Sequence, residues 1–316
     1  MYIWQELFAK APQKAALFLR DHLNITFSAA QRLCDKGRLR QNGKVLKKSE
    51  LVFGPLELLA YENKPQSLEL VFENEDLAVV HKQSGVLTHP NGRNCKYSLC
   101  DELWSRWPKA SPAHRLDRET SGLLLVGKNA QSVKDLKELF AAGELRREYQ
   151  AQVRANERLM GLFAGRDCVQ ISNLMKINES YGELKVRMLH KKIDESRLGL
   201  DLAQGFKIAK SEFRLMAHDE KKALLRAKLF TGRQHQIRVQ LFALGLPILG
   251  EPLYGVDRKI SEDILDFNLS KNERIELTGA KRLMLHASRL AFSYKGEDFD
   301  FNLAQDFEEL EELEEF

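Results

Sequence analysis

His114-Arg115-Leu116-Asp117-Arg118-Glu119-Thr120-Ser121-Gly122 leads directly into a wholly apolar run, Leu123-Leu124-Leu125-Val126, which Gly127 closes. A short apolar run bounded by glycines predicts a strand buried on both faces. Asp117 then stands between two arginines at the mouth of a rigid strand. There a scaffold can hold a reactive carboxylate and still leave it reachable. The same composition also fits a surface loop whose carboxylate pairs with Arg115 or Arg118, and most such exposed pairs contribute little.

A second stretch with chemical potential is Thr231-Gly232-Arg233-Gln234-His235-Gln236-Ile237-Arg238-Val239-Gln240. Ile237, Leu241 and Leu244 recur at i, i+4 and i+7, which predicts a helix over 234–244 stopped by Gly245. Arg233 falls one turn before Ile237, on that apolar stripe. A guanidinium directed at a core needs a carboxylate, because an unpaired buried charge is very costly. Asp117 is the expected partner. The alternative is an arginine that snorkels from the helix start to solvent.

Other chemistries find less support. Gly122 to Lys128 nearly matches the phosphate-binding G-x-x-x-x-G-K-[ST] loop. However, Asn129 stands where the magnesium-ligating hydroxyl belongs, and the four intervening residues are the apolar strand itself. His114 and Asp117 lie three apart, with His235 and His286 elsewhere, so no dense metal-ligand cluster emerges and no metal is expected. A metal-dependent hydrolase built on His114 and Asp117 remains a rival reading. No G-x-S-x-G nucleophile elbow is present.

The elements that must position these residues fall into two parts. Residues 15–62 predict a small module: a helix over Ala15–Leu23, then a second helix capped by Ser28 and stopped near Gly37. A hairpin follows, turning at Asn42-Gly43. Arg32, Lys36, Arg38, Arg40, Lys44, Lys47 and Lys48 cluster on this module, either as a solvated surface or as a phosphate-binding one. A linker is expected at 63–67. From 68 to 300 the pattern is mixed. Strands are expected near 68–72, 77–81, 123–127, 148–154, 211–217 and 223–230, with a last pair near 283–300. Helices are expected near 97–106 and over 132–142. Strands and helices do not alternate regularly, so the expected class is α+β, a mixed and mostly antiparallel central sheet with flanking helices.

The chain has 316 residues, 43% hydrophobic and 30% charged, with room for one large domain and one small one. No apolar stretch reaches the ~18 residues of a membrane span. The start of the chain lacks the pattern of a signal peptide, and four cysteines make no disulfide framework. The expectation is a cytoplasmic, reduced protein without a membrane partner. The segment 306–316 carries seven acidic residues and no basic one; set against an overall charge of +4, that leaves +11 on the remainder. A basic body suggests a polyanionic partner such as RNA.

Residues 37–44, Gly-Arg-Leu-Arg-Gln-Asn-Gly-Lys, together with the two preceding helices, resemble a small RNA-binding module first recognised in a small-subunit ribosomal protein. The larger part resembles the RluA-type family of RNA pseudouridine synthases. Its H-R-L-D-x-x-T-S-G signature is met by His114 to Asp117 and Thr120 to Gly122. Its T-G-R-x-H-Q-I-R motif is met by Thr231 to Arg233 and His235 to Arg238. Leu249-Gly250-Glu251-Pro252-Leu253-Tyr254-Gly255 is similar to the family's L-G-D-P-x-Y-G. Arg147-Glu148-Tyr149 stands at its K-x-Y, with arginine replacing lysine.

The resemblance implies an isomerase that needs no cofactor. It breaks the ribose-to-uracil nitrogen bond of a uridine within RNA, turns the base and rejoins it through carbon. Asp117 is implied as the nucleophile and Arg233 as the cation that keeps it ionised. Tyr149 is implied as the ring that packs on the target base and assists deprotonation at carbon five. Arg115 is implied to fill the space the flipped base leaves, at the few kcal/mol cost of unstacking. His114, Arg238, Arg38 and Lys44 are expected to contact the substrate. The expected partner is large-subunit ribosomal RNA or a pre-ribosomal particle, with transfer RNA as the variant, and the protein is expected to act as a monomer. The other reading of the same fold is a non-catalytic RNA-binding or ribosome-assembly factor.

Overall fold

The structure is a computed structural model that describes residues 2–62, 65–90, 95, 97–178, 187–266, 268–305 and 307. Most of the acidic tail and the first two positions of the expected linker lie outside these residues. The chain divides into two compact units, Met1–Gln66 with His89–Ser105, and Ser67–Thr88 with Arg106–Phe316.

The first unit opens with β1 (Tyr2–Lys14), followed by α1 (Ala15–Leu23), α2 (Phe27–Asp35), β2 (Leu39–Gln41), β3 (Lys44–Val45) and β4 (Leu51–Tyr61). Its sheet runs β1-β4-β2-β3. The apolar faces of the helices, Ala15, Ala16, Phe18, Leu19, Ala30 and Cys34, close over Leu39, Leu56 and Leu58. Asn42 and Gly43 both take positive φ (52° and 77°), as a tight hairpin turn requires. Two expectations need correction. The unit includes β1, which pairs with β4 from Tyr2↔Tyr61 to Lys14↔Leu51, so it begins well before residue 15. The cap of α2 is Thr26 rather than Ser28, its hydroxyl accepting from the Ala29 N–H at 3.2 Å.

In the second unit β5 (Glu69–Glu73) and β6 (Leu77–Lys82) form a hairpin. After α3 (Leu99–Arg106), most of which groups with the first unit, come β7 (Ser111–Pro112), β8 (Ser121–Gly127), α4 (Ala130–Ala142) and β9 (Arg146–Arg154). Then follow α5 (Glu157–Phe163), β10 (Cys168–Asn178), β11 (Arg187–Lys191), α6 (Leu198–Ala203), β12 (Lys207–His218) and β13 (Lys222–Leu229). The chain continues through α7 (Gln236–Ala243), α8 (Arg258–Leu265), α9 (Lys271–Thr278), β14 (Leu285–Tyr294) and β15 (Glu297–Asn302).

One large sheet runs β11-β10-β12-β13-β9-β14-β8-β6-β5, with β15 on β14 and β7 on β8. Its pairings are antiparallel except β14 with β8, so the fold is the expected α+β class. All of β8 is buried. Leu123 and Leu125 join Leu77, Val79, Leu136 and Leu290 in one core, while Leu124 and Val126 bury the other face. α4 is capped at both ends, by Asn129 with a reciprocal Ser132 bond and by Gly143 at φ 80°.

Candidate active site

β8 fixes where Asp117 stands. Gly122, at φ 117°, lies so close to β14 that a Cβ there would meet the Ala287 carbonyl oxygen at 2.3 Å. Only glycine permits both the conformation and the approach. The segment before it is tied from below. Thr88 Oγ1 donates to the Leu116 carbonyl at 2.9 Å and accepts from the Leu116 N–H at 3.2 Å. The Gly85 N–H donates to the Arg118 carbonyl at 2.9 Å, and Ser84 Oγ donates to Glu119 O at 2.7 Å.

Lys82, fully buried at the end of β6, donates to the carbonyls of Gln83, Val86 and Arg118. Burial pulls its pKa down to about 7, against the attraction of Glu119 and Asp117. Glu119 is itself buried and paired with Arg274 at 2.9 Å. The loop is held from several directions, so the Asp117 carboxylate is placed by the scaffold rather than by its own rotamer freedom.

Across from it, α7 presents Arg238 and the residue before the helix, His235. Arg238 Nη1 lies 3.2 Å from Asp117 Oδ2, while its Nε and Nη2 grip Glu251 at 2.8 and 2.6 Å. The guanidinium is 3% exposed and Asp117 17% exposed. Glu251 also accepts the Leu253 N–H at 2.9 Å. Burial works against the charge on Arg238, but Glu251 and Asp117 outweigh it and raise its pKa.

His235 sits at φ 54° with its Nδ1 2.8 Å from the Tyr254 hydroxyl. That hydroxyl accepts the Met188 N–H at 3.0 Å. His235 Nε2 lies 3.8 Å from Asp117 Oδ1. Burial takes the His235 pKa down to about 4 despite Asp117, so the ring is neutral at pH 7. Burial of Asp117 would raise its pKa, yet His235, Arg238 and Arg115 together hold it below the usual carboxylate value. With His235 neutral at pH 7, Arg238 is the buried cation in contact with Asp117. An ionised carboxylate in a nearly dry site is the outcome.

The expected partner was Arg233, and here the structure corrects the sequence reading. α7 starts at Gln236, so Arg233 precedes the helix and never joins its apolar stripe. Its Nε donates to the Ile208 carbonyl at 2.9 Å and its N–H to the Gln236 side chain. Arg238, expected to contact substrate, is instead sealed between two carboxylates. His114 also differs from expectation. It is buried, its ring stacks on Phe140, and Nε2 accepts the Leu125 N–H at 3.2 Å. Burial lowers its pKa to about 3, leaving a neutral histidine that braces the strand.

Tyr149 lies in β9 opposite Ala287, the residue that also faces Gly122 across β14. Tyr149 and the Asp117 loop are thus carried by strands on either side of β14. Burial raises the Tyr149 pKa, with Arg147 opposing and Asp117 adding to the rise. Arg115 is exposed and close enough to lower the Asp117 pKa. Arg38 and Lys44 belong to the first unit. Arg38 lies over the Tyr2 ring and bonds its hydroxyl at 2.7 Å, and Lys44 reaches Glu50 at 3.3 Å.

Sequence reasoning gave no role to Lys82, Glu119, His235, Glu251, Tyr254 or Arg274. The signal for Glu251 and Tyr254 was their place in the Leu249–Gly255 motif. Among the described residues no three His, Cys, Asp or Glu side chains gather as metal ligands, and no helix is long and apolar enough to cross a membrane.

Comparisons with known proteins point to one family. The family profile described as RNA pseudouridylate synthase matches residues 76–243, which spans β8, Tyr149 and all of α7. An RNA pseudouridine synthase of Helicobacter pylori is 34% identical over 93% of this chain and 91% of its own. The ribosomal large subunit pseudouridine synthase D of Zymomonas mobilis is 27% identical over 78% of this chain and 73% of its own. Among solved structures, human RNA pseudouridylate synthase domain containing 4 superposes with a TM-score of 0.55 at 19% identity, covering 78% of this chain and 91% of that one. That likeness speaks for the fold, and the sequence matches speak for the family. The chain belongs to the RluA-type RNA pseudouridine synthases, isomerases that turn uridine in RNA into pseudouridine.

Proposed function

We propose that this isomerase modifies large-subunit ribosomal RNA, with Asp117 as its nucleophile and Arg238 as the cation that keeps Asp117 ionised. The observation that carries the catalytic assignment is the guanidinium of Arg238 shared between Asp117 and Glu251. A charge fixed on its far side by Glu251 cannot swing away when substrate enters. Asp117 therefore meets the uridine as a preorganised anion. Attack on the flipped nucleotide lets the ribose-to-nitrogen bond break. The freed uracil turns within the site and rejoins through carbon five, the bond to Asp117 breaks to return the free carboxylate, and the proton on carbon five is then lost. The Tyr149 ring packs on the base through these steps, and Arg115, exposed at the mouth, occupies the vacated stack.

The first unit supplies phosphate contacts through its basic hairpin and α2, with exposed Arg32 and Lys47 beside Arg38 and Lys44. Relatives named for the large ribosomal subunit support ribosomal RNA as the substrate. The protein works without a cofactor, as a monomer in the cytoplasm; sedimentation and cell fractionation check the last two points.

The test is to map pseudouridines in a strain lacking the gene, then to incubate its RNA, tritiated at uracil carbon five, with the purified protein. A site missing from large-subunit RNA, with tritium released from that RNA, is the expected result. A missing site confined to transfer RNA would move the substrate to the other class. No release from any RNA would remove the catalytic assignment and leave the RNA-binding factor.

A further inference from the structure

Among the described residues, Arg147 is a buried guanidinium without an anion. It stands in β9 two residues before Tyr149, so both side chains project from the same face of the sheet. It is 8% exposed, its Nε has no hydrogen-bond partner, and among the described residues no carboxylate pairs with it. Elsewhere the fold does not leave such charges alone: Arg238 holds Glu251 and Asp117, and Arg274 holds Glu119. A buried cation left unpaired is costly, and a fold tolerates one where a ligand completes it.

The guanidinium is nevertheless held in place. Its Cζ lies 4.6 Å from the Phe140 ring centroid, and Phe140 stacks in turn on neutral His114 at 5.7 Å and 8°. On the Gly232 side the packing is just as tight. A Cβ at position 232 would stand 2.9 Å from Arg147 Nη1 and 3.3 Å from Phe140. His114, Phe140, Arg147 and Gly232 thus form one stack, whose last member has no side chain and belongs to the loop that carries His235. A flat cation fixed on an aromatic face suits the bidentate recognition of a planar or tetrahedral oxyanion. Asp117 already has Arg238, so it is not the missing anion.

We infer that Arg147 binds a phosphodiester of the RNA backbone next to the target uridine, and that Gly232 is a glycine to keep that guanidinium in place. The phosphate supplies the charge that the fold omits, and it registers the strand so that the flipped nucleotide meets Asp117 and Tyr149. This rests on the isomerase activity and not on which RNA is the substrate.

The experiment measures tritium release from total RNA of a gene-deleted strain across 50–200 mM salt, for wild type, Arg147→Met, Arg147→Lys and Gly232→Ala. Arg147→Met is expected to raise KM about tenfold with a smaller change in kcat. It should also flatten the log–log salt dependence of kcat/KM by about 0.7, the share of one phosphate contact on single-stranded RNA. Arg147→Lys keeps the charge and should keep the salt slope, which separates contact from folding if the Met variant proves unstable. Gly232→Ala displaces the group without removing it and should raise KM as well. A wild-type slope and KM in Arg147→Met would overturn the inference. So would an equal loss of kcat alone in the Met and Lys variants.

Discussion

Arg238 and Asp117 meet at 3.2 Å, although 121 positions separate them in the chain, and they meet because Glu251 holds the other two nitrogens of the same guanidinium. That charge pair is one arm of a buried Glu–Arg–Asp triad.

Removing members of that triad should give unequal results. Arg238→Met leaves two buried carboxylates unpaired and should cost about 3–5 kcal/mol of stability, read as a lowered midpoint in urea. Its activity should fall below detection. Asp117→Asn leaves Arg238 satisfied by Glu251, so tritium release should drop at least about a thousandfold while the unfolding midpoint stays near wild type. A marked loss of stability in Asp117→Asn would mean that the carboxylate is structural.

Three buried histidines set an acid limit. Burial lowers His114 to about 3 and His235 and His286 to about 4, whereas an unfolded histidine titrates near 6.5. Between those values the unfolded chain binds more protons than the folded one. The histidine contribution to stability is therefore complete above about pH 6.5 and declines as pH falls towards 4, by about 1.4 kcal/mol per pH unit for each histidine. Urea midpoints measured from pH 7.5 to 4.5 should show the decline beginning near 6. His286, bonded to Ser121 at 2.9 Å and to the Leu303 carbonyl at 2.8 Å, gives the control. His286→Gln should make the curve less steep.

Lys82 has the same sign at higher pH. Its pKa of about 7 in the fold lies below the unfolded value near 10.4, so the unfolded chain again binds the extra proton between the two. Stability should climb as pH rises from about 7 towards 10, and Lys82→Met should abolish that climb. The same change frees the carbonyl of Arg118. Faster amide exchange at Gly85 and a lower kcat should accompany it; unchanged exchange would show that Lys82 does not hold the loop.

Gly122→Ala tests the approach of β8 to β14. The added Cβ would lie 2.3 Å from one backbone atom of Ala287 and 2.5 Å from another, at a φ that L-residues avoid. The strands must part, so a loss of more than about 3 kcal/mol is expected, with activity falling in step. A Gly122→Ala protein with wild-type melting and turnover would refute the packing.

Much of this was legible in the chain. The apolar run 123–126 announced a buried strand because a double-faced core position admits almost nothing else. Asn42-Gly43 announced its hairpin because few residues accept two positive φ angles in succession. β10 and β11 gave no comparable signal. Their residues alternate weakly, as in Ile171-Ser172-Asn173-Leu174, and the polar Asn173 finds its partner only in α7, where the Gln240 side chain donates to it at 3.0 Å. β1 was missed for a related reason, since Trp4 and Phe8 put aromatic groups on its outer side and blur the alternation.

Sequence alone determined that Asp117 would stand just before a buried strand, and it offered Arg233 from the 231–240 segment as the arginine to face it. Which arginine was a matter of where α7 begins. Helical periodicity extended two residues too far and gave the role to Arg233. In the fold, the left-handed turn at His235 starts the helix at Gln236 and swings Arg238 inward instead. A pattern of apolar residues fixes a face to within a turn. Placing one guanidinium between two carboxylates from distant segments takes the packed sheet, because that contact depends on long-range distances that no local spacing encodes.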